Sequence, residues 1–142
     1  MATALVLLTD GFEEIEAVTI IDVLRRGEVA VTTASLGGKL VKGSHEISIE
    51  ADTLLELLSV SDFDALVLPG GPASKTLRED GRAQAAIKRA AHEGKLLAAV
   101  CAAPNFSKIK SMTSSLRSCG KSTSMSGSLL SAIRSLLRNR RK

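Results

Sequence analysis

The chain has 142 residues, 44% of them hydrophobic and 2% aromatic, with two cysteines, two histidines and neither tryptophan nor tyrosine. This length supports one domain, and the composition supplies a core of Leu, Val, Ile and Ala, as a parallel sheet buried on both faces requires. Two cysteines do not form a disulfide framework, and no apolar run approaches the length of a membrane span, so we expect a cytoplasmic protein that does not enter the membrane.

The net charge of +4 is distributed unevenly along the chain. Residues 1–104 carry 10 basic and 15 acidic side chains, a net −5, whereas residues 105–142 carry 9 basic and no acidic ones, a net +9. The second segment is also rich in serine and lacks strand-like runs. We therefore predict a partial domain over 1–104 and a divergent basic tail over 105–142. Without an aromatic platform, this tail predicts only non-specific attraction to nucleic acid.

Short apolar runs alternate with helical patterns along residues 1–104. In chain order they predict strands over 4–8, 29–35, 65–68 and 96–100, helices over 13–27, 54–60 and 76–92, and an extended hairpin arm that includes Val41 and residues 45–50. In the first helix the apolar side chains recur at helical spacing and make Ile15 a buried position, and Gly27 is the expected C-cap. In the third helix we expect an inward face of Ala83, Ala86, Ile87 and Ala90. This alternation predicts an α/β fold, a parallel sheet with helices on both faces.

The last predicted strand runs directly into Cys101, which is followed by Ala102, Ala103 and Pro104. We interpret this segment as a strand, a sharp turn and a helix start. Ligands bind at the carboxyl ends of strands in open α/β sheets, and a helix N-terminus stabilises a thiolate. Cys101 is therefore a candidate nucleophile. The alternative is a small buried residue behind the strand, which is common for free cysteine.

Three carboxylates follow the first strand, at Glu13, Glu14 and Glu16. The helix dipole accounts for Glu13 and Glu14. Glu16 is different, because a carboxyl at the carboxyl edge of the sheet could face Cys101 and, if protonated, donate a hydrogen bond to the thiolate.

The run Pro69-Gly70-Gly71-Pro72 ends another strand. It is either a plain tight turn or a place where the backbone approaches a ligand closely. In the second case, an N–H of this run and the N–H of Ala102 would form an oxyanion hole.

Neither histidine is placed to pair with Cys101. His92 lies at a predicted helix C-terminus and His45 in the hairpin arm, where we expect a structural role. The histidines and cysteines are too scattered for a metal site, so we expect no metal. A cysteine protease or a glutamine amidotransferase is disfavoured, because no histidine follows Cys101.

Motifs in four places carry a family resemblance: residues 10–17 (DGFEEIEA), 19–27 (TIIDVLRRG), 67–71 (VLPGG) and 98–104 (AAVCAAP). In this order they resemble the DJ-1/PfpI (ThiJ) superfamily, in the branch of the Parkinson-linked protein deglycase. The resemblance implies a flavodoxin-like three-layer sandwich, similar to class I glutamine amidotransferases, and a homodimer formed through the first helix.

The resemblance also implies site residues and an activity. Cys101 would be the nucleophile and redox-sensitive thiol, Glu16 the protonated acid beside it, and Gly71 and Ala102 the backbone oxyanion donors. The implied activity is removal of methylglyoxal and reversal of early glycation, without a cofactor. The partners would be small reactive aldehydes or glycated proteins, and chaperone and oxidative-stress roles are attributed to the family.

The chain also departs from the family pattern. The family carries a histidine downstream of the cysteine, and this chain has none after His92. Residues 105–142 do not follow the family pattern, which suggests an out-of-frame or alternatively spliced ending and an incomplete sheet. Gly43 and His45 lie in the arm where relatives often carry a cysteine and an arginine, which bears on the contacts of the dimer. The alternative function is therefore a non-catalytic redox sensor, a chaperone-like protein or an inactive member.

Overall fold

A five-stranded sheet is the central layer of residues 1–101, the part of the chain that the computed structural model describes. Its strands are β1 (Thr3–Leu8), β2 (Ala30–Ser35), β5 (Thr53–Leu54), β6 (Ala65–Leu68) and β7 (Leu96–Ala99). They lie in the order β5-β2-β1-β6-β7, and every neighbouring pair is parallel. The chain crosses to the other side of β1 between β5 and β6, so the ends of β1 and β6 form the switch point at which such sheets bind ligands.

Helices cover both faces of this sheet. Helix α1 (Glu14–Arg26) packs on one face, where Ala4, Val6 and Leu8 of β1 contribute to the core. Helices α2 (Ala73–Glu79) and α3 (Gly81–His92) pack on the other face, which receives Leu5 and Leu7. Successive residues of a strand point to opposite faces, so a strand buried on both sides must be apolar throughout. The predicted three-layer α/β fold is confirmed.

The predicted helix over 54–60 is wrong. Leu54 ends β5, and two single 3-10 turns follow, Leu55–Leu57 and Val60–Asp62. The chain begins this region extended because Thr53 and Leu54 pair with the end of β2. The two 3-10 turns bury Leu55 and Val60 and leave Leu57 exposed.

The helix predicted over 76–92 is two helices that meet at Asp80. The backbone of Asp80 is extended, and its side chain accepts hydrogen bonds from the N–H groups of Arg82 and Ala83. Asp80 is thus the N-cap of α3, and a cap of this kind stabilises a helix by about 1 kcal/mol. The predicted inward face of α3 is confirmed, since all four of its apolar residues are buried.

Helix α1 begins and ends within one residue of the predicted bounds 13–27 and has the Gly27 C-cap, but its orientation differs from the prediction. Ile15 is 69% exposed and Val18 is 49% exposed. The core face is formed instead by Ala17, Ile20 and Leu24. The apolar residues of α1 therefore occupy two faces, and only one of them packs on the sheet.

The predicted hairpin is present as β3 (Leu40–Lys42) and β4 (Ser48–Glu50), which pair antiparallel. His45 lies in the turn between them. Within residues 1–101, no helix is long and apolar enough to cross a membrane. The predicted tail over 105–142, Ala102 and Cys119 lie outside the described residues.

Candidate active site

Three strand ends meet at the carboxyl edge of the sheet and bring the predicted site residues together. The chain leaves β1 into the first turn of α1, which carries Glu16. It leaves β6 into Pro69, Gly70 and Gly71, and it leaves β7 through Val100 into Cys101. The Val100 N–H donates to the Leu68 carbonyl at 3.1 Å, which ties the end of β7 to β6.

Cys101 is exposed and has a backbone φ of +55°. The exposure argues against a buried structural cysteine. A left-handed conformation costs a non-glycine residue on the order of 1–3 kcal/mol, and such residues are concentrated at functional sites. This conformation ends the extended backbone that follows β7, at the carboxyl edge of the sheet.

Glu16 is buried, with 7% of its surface exposed, and its carboxyl points towards Gly70. Oε2 of Glu16 accepts a hydrogen bond from the Gly70 N–H at 2.8 Å. A Cβ placed on Gly70 would lie 2.5 Å from Glu16 Oε2 and 2.8 Å from Cys101 Cβ. The carboxyl and the cysteine side chain therefore converge on one point, and only glycine leaves room for both.

Gly71 has both a positive φ, +90°, and no space for a side chain. A Cβ there would lie 2.7 Å from the Glu13 nitrogen and 2.8 Å from the Gly11 oxygen. Within residues 1–101 the Gly71 N–H makes no hydrogen bond, whereas the N–H of Gly70 is taken by Glu16. The roles of Gly71 and Ala102 as oxyanion donors stay predictions.

From the sequence, Gly70 had no role apart from its glycine pair, and the helix dipole accounted for Glu14. Gly70 could have been found, since it stands in the same glycine pair as Gly71. Glu14 could not, because its partners are about 30 residues away: its carboxylate accepts hydrogen bonds from the His45 N–H at 2.5 Å, the Ser44 hydroxyl at 3.0 Å and the His45 ring at 3.0 Å. Glu14 is 5% exposed, so the helix dipole does not account for it.

The Glu14 carboxylate and the His45 ring each affect the pKa of the other. Burial opposes ionisation of Glu14, but the hydrogen bonds from His45 and Ser44 outweigh it and lower the pKa of Glu14 from 4.5 to about 2. The hydrogen bond to Glu14, together with the negative charges of Glu14 and Glu13, raises the pKa of His45 above 6.5. Both changes favour the ion pair.

Potential metal-ligating atoms of Glu13, Glu14 and His45 lie within 4.8 Å of one another. These groups bond one another and Ser44, so we assign no metal here, and the expectation of no metal site stays a prediction. His92 is exposed at the end of α3, as predicted. In the described part of the chain, neither histidine is hydrogen-bonded to Cys101.

A family model described as "DJ-1/PfpI family" matches residues 2–135. The chain belongs to the DJ-1/PfpI family. The sequence resemblance is therefore confirmed, on a match that covers most of the chain.

Individual members of the family are similar to this chain over part of their length. It is 42% identical to "Protein DJ-1 homolog A" of Arabidopsis thaliana over 95 residues, 66% of this chain and 24% of that protein. It is 36% identical to "Protein/nucleic acid deglycase 2" of Escherichia coli over 92 residues, 63% of this chain and 54% of that protein. The crystal structure of Drosophila melanogaster DJ-1beta superimposes with a TM-score of 0.70 at 42% identity, covering 73% of this chain and 57% of that one. The chain thus spans between about a quarter and just over half of these relatives.

Proposed function

We propose that this chain is a cysteine-dependent glyoxalase and deglycase that needs no cofactor and acts on small reactive aldehydes or glycated proteins and nucleotides. The observation that carries the proposal is the convergence of Glu16 and Cys101 on Gly70. In this arrangement a buried carboxyl lies close to the Cβ of an exposed cysteine, near the switch point of a parallel sheet. Similarity to a protein named as a deglycase supports the same chemistry.

The proposed reaction converts methylglyoxal and water to lactate. The Cys101 thiolate adds to the aldehyde carbon and forms a C–S bond, while the aldehyde oxygen takes the proton of Glu16. The Glu16 carboxylate then removes the proton from that carbon and returns it to the neighbouring keto carbon, as the hydroxyl proton passes to the former keto oxygen. The result is a thioester of lactate.

Hydrolysis completes the cycle. One water attacks the thioester, the C–S bond breaks, and lactate leaves with the restored thiolate on Cys101. Of the two protons released, one returns to Glu16 and the other goes to solvent. The Gly71 N–H would bind the oxyanion that forms in the addition and hydrolysis steps.

Proton transfer falls to Glu16 because both histidines are occupied or distant. The His45 ring is paired with Glu14, and His92 lies at the exposed end of α3. The hydrogen bond from the Gly70 N–H fixes one oxygen of Glu16, Oε2. Within residues 1–101 the other oxygen has no partner, and it is the one available to substrate.

The alternative function is redox sensing, and the exposure of Cys101 favours it. An exposed thiol at a strained corner is open to oxidation to the sulfenic and sulfinic acids. Oxidation of Cys101 without any turnover of aldehyde would support this alternative over the enzyme.

The decisive experiment measures methylglyoxal loss and lactate formation by the purified chain and its Cys101→Ser and Glu16→Gln variants. We expect Cys101→Ser to abolish turnover and Glu16→Gln to lower it by about 100-fold or more. Glu46→Gln is the matched control, since Glu46 lies in the exposed hairpin turn and pairs with Lys42. Turnover by Cys101→Ser equal to that of the unchanged chain would refute the proposal.

We also infer that the chain forms a homodimer through α1. Ile15 and Val18 are exposed on this helix, and Leu40 and Ile47 are exposed on the hairpin. Ile15 and Val18 are one turn apart and share a face of α1, and contiguous exposed apolar surface is typical of protein interfaces. We expect Val18→Asp to convert a dimer to a monomer in sedimentation velocity. A monomer in the unchanged chain would refute the inference.

A further inference from the structure

Glu14 is a buried carboxylate that the proposed reaction does not use. Burying a carboxylate is unfavourable unless it is paired and hydrogen-bonded. Within residues 1–101, the donors that reach the Glu14 carboxylate from other residues come from the hairpin turn, from Ser44 and His45. Gly43 makes room for this contact, since a side chain on Gly43 would collide with the Glu14 carboxyl.

The same helical turn carries Glu16 on its other side. Residues two apart on an α-helix are rotated by about 200°, so Glu14 and Glu16 point in nearly opposite directions. Glu14 is anchored to the hairpin, and Glu16 accepts the Gly70 N–H beside Cys101. The first turn of α1 therefore connects the hairpin to the candidate active site.

Local structure alone does not fix this turn. The N-cap residue of α1 is Glu13, and its side chain makes no capping hydrogen bond. The first turn is instead held by contacts with distant residues, including the bond from the Glu13 N–H to the Gly70 oxygen at 3.0 Å. An end without a side-chain cap depends on such contacts for its position.

We propose that Glu14 and His45 are positioning residues: their contact clamps the first turn of α1 to the hairpin and thereby holds the Glu16 carboxyl against Gly70 and Cys101. This proposal rests on the proposed function, because it assigns Glu16 an effect on the thiol. Loss of the clamp should release the helix end and weaken that effect without touching Cys101 itself.

The test measures the rate of Cys101 alkylation by iodoacetamide as a function of pH. The full 142-residue chain is used with Cys119→Ser, so that a single thiol reacts. Glu16→Gln in this background defines the change in the profile when the carboxyl is lost. Glu14→Gln should move the midpoint of the profile in the same direction by about half a unit, which is about a threefold change in rate below the midpoint. Glu46→Gln, in the same hairpin, should leave the profile unchanged.

His45→Gln keeps the proposal testable if Glu14→Gln does not fold. The His45 side chain is 72% exposed, and the main-chain bond to Glu14 survives its replacement. We expect a smaller shift in the same direction, with only a small decrease in melting temperature from the lost ring contact with Glu14. A merely structural clamp would change the melting temperature and leave the profile in place.

The outcomes separate the two proposals. If Glu16→Gln moves the profile while folded Glu14→Gln and His45→Gln do not, the clamp is refuted and the proposed function stands. If Glu16→Gln leaves the profile unchanged, Glu16 does not act on Cys101, and both proposals fail.

Discussion

Replacing Gly70 by alanine tests the geometry of the site directly. The added Cβ would lie 2.5 Å from Glu16 Oε2, 2.8 Å from Cys101 Cβ and 2.8 Å from the Val100 oxygen. The backbone of Gly70 needs no positive φ, so this substitution changes the available space and leaves the conformational preference of the position satisfied.

The size of the effect follows from those distances. Ordinary van der Waals contact begins near 3.4 Å, so the carboxyl oxygen is too close by about 0.9 Å and the other two atoms by about 0.6 Å. Glu16 can move aside only by losing its bond to the Gly70 N–H. Val100 and Cys101 cannot rotate away, because the oxygen belongs to the backbone and the Cβ is attached to it. Overpacking of this kind lowers the free energy of unfolding by about 1–3 kcal/mol.

The effect on turnover should be larger than the effect on stability. A displacement of about 1 Å of a reacting group lowers a rate by about 100-fold. We therefore expect Gly70→Ala to lose methylglyoxal turnover and to react differently with iodoacetamide, while still unfolding cooperatively in urea.

Gly37→Ala is the matched control for this substitution, since nothing lies within 4 Å of a Cβ at Gly37. It should behave as the unchanged chain in both assays. The reasoning is refuted if Gly70→Ala matches Gly37→Ala in unfolding free energy, in turnover and in thiol reactivity. Glu16 and Cys101 would then not converge at Gly70.

Two further predictions concern stability. Gly81→Ala should raise the free energy of urea unfolding by about 0.4–1 kcal/mol, because Gly81 begins α3 with open space around it; a decrease would contradict this packing. The depressed pKa of Glu14 stabilises the fold above pH 4.5, and this stabilisation is lost as the pH falls towards 2. The raised pKa of His45 stabilises the fold below pH 6.5, and this stabilisation is lost as the pH rises through the raised pKa. As the pH falls, the free energy of urea unfolding should decrease less steeply for Glu14→Gln than for the unchanged chain. An equal decrease in both proteins would contradict the ion pair.

Strands β1 and β6 could be predicted from the sequence because both are buried on both faces. Their buried positions are apolar, which makes residues 4–8 and 65–68 visible as unbroken apolar runs. The region after β5 could not be predicted in the same way. Its leucines have helical spacing, but pairing of Leu54 with Ser35 holds the chain extended where the helix would begin.

The face of α1 that packs on the sheet could not be predicted from the sequence for a related reason. Apolar spacing places Ile15 on an apolar stripe of the helix, but the pattern does not distinguish a stripe that packs on the sheet from one that is exposed. The burial of Glu14 and Glu16 depends on donors that are 31 and 54 residues away in sequence. No local pattern around a glutamate indicates that such donors will reach it.

Three consecutive residues of α1 therefore point to three different parts of the molecule. Glu14 contacts the hairpin, Ile15 is exposed on the proposed dimer surface, and Glu16 contacts Gly70 beside Cys101. Because these side chains share one rigid helical turn, a change in any of the three surroundings moves the other two. A larger residue at Gly43 would displace the Glu14 carboxyl, shift the turn and withdraw Glu16 from Gly70. The hairpin and the candidate active site, although separate in sequence, are thus coupled through the first turn of α1.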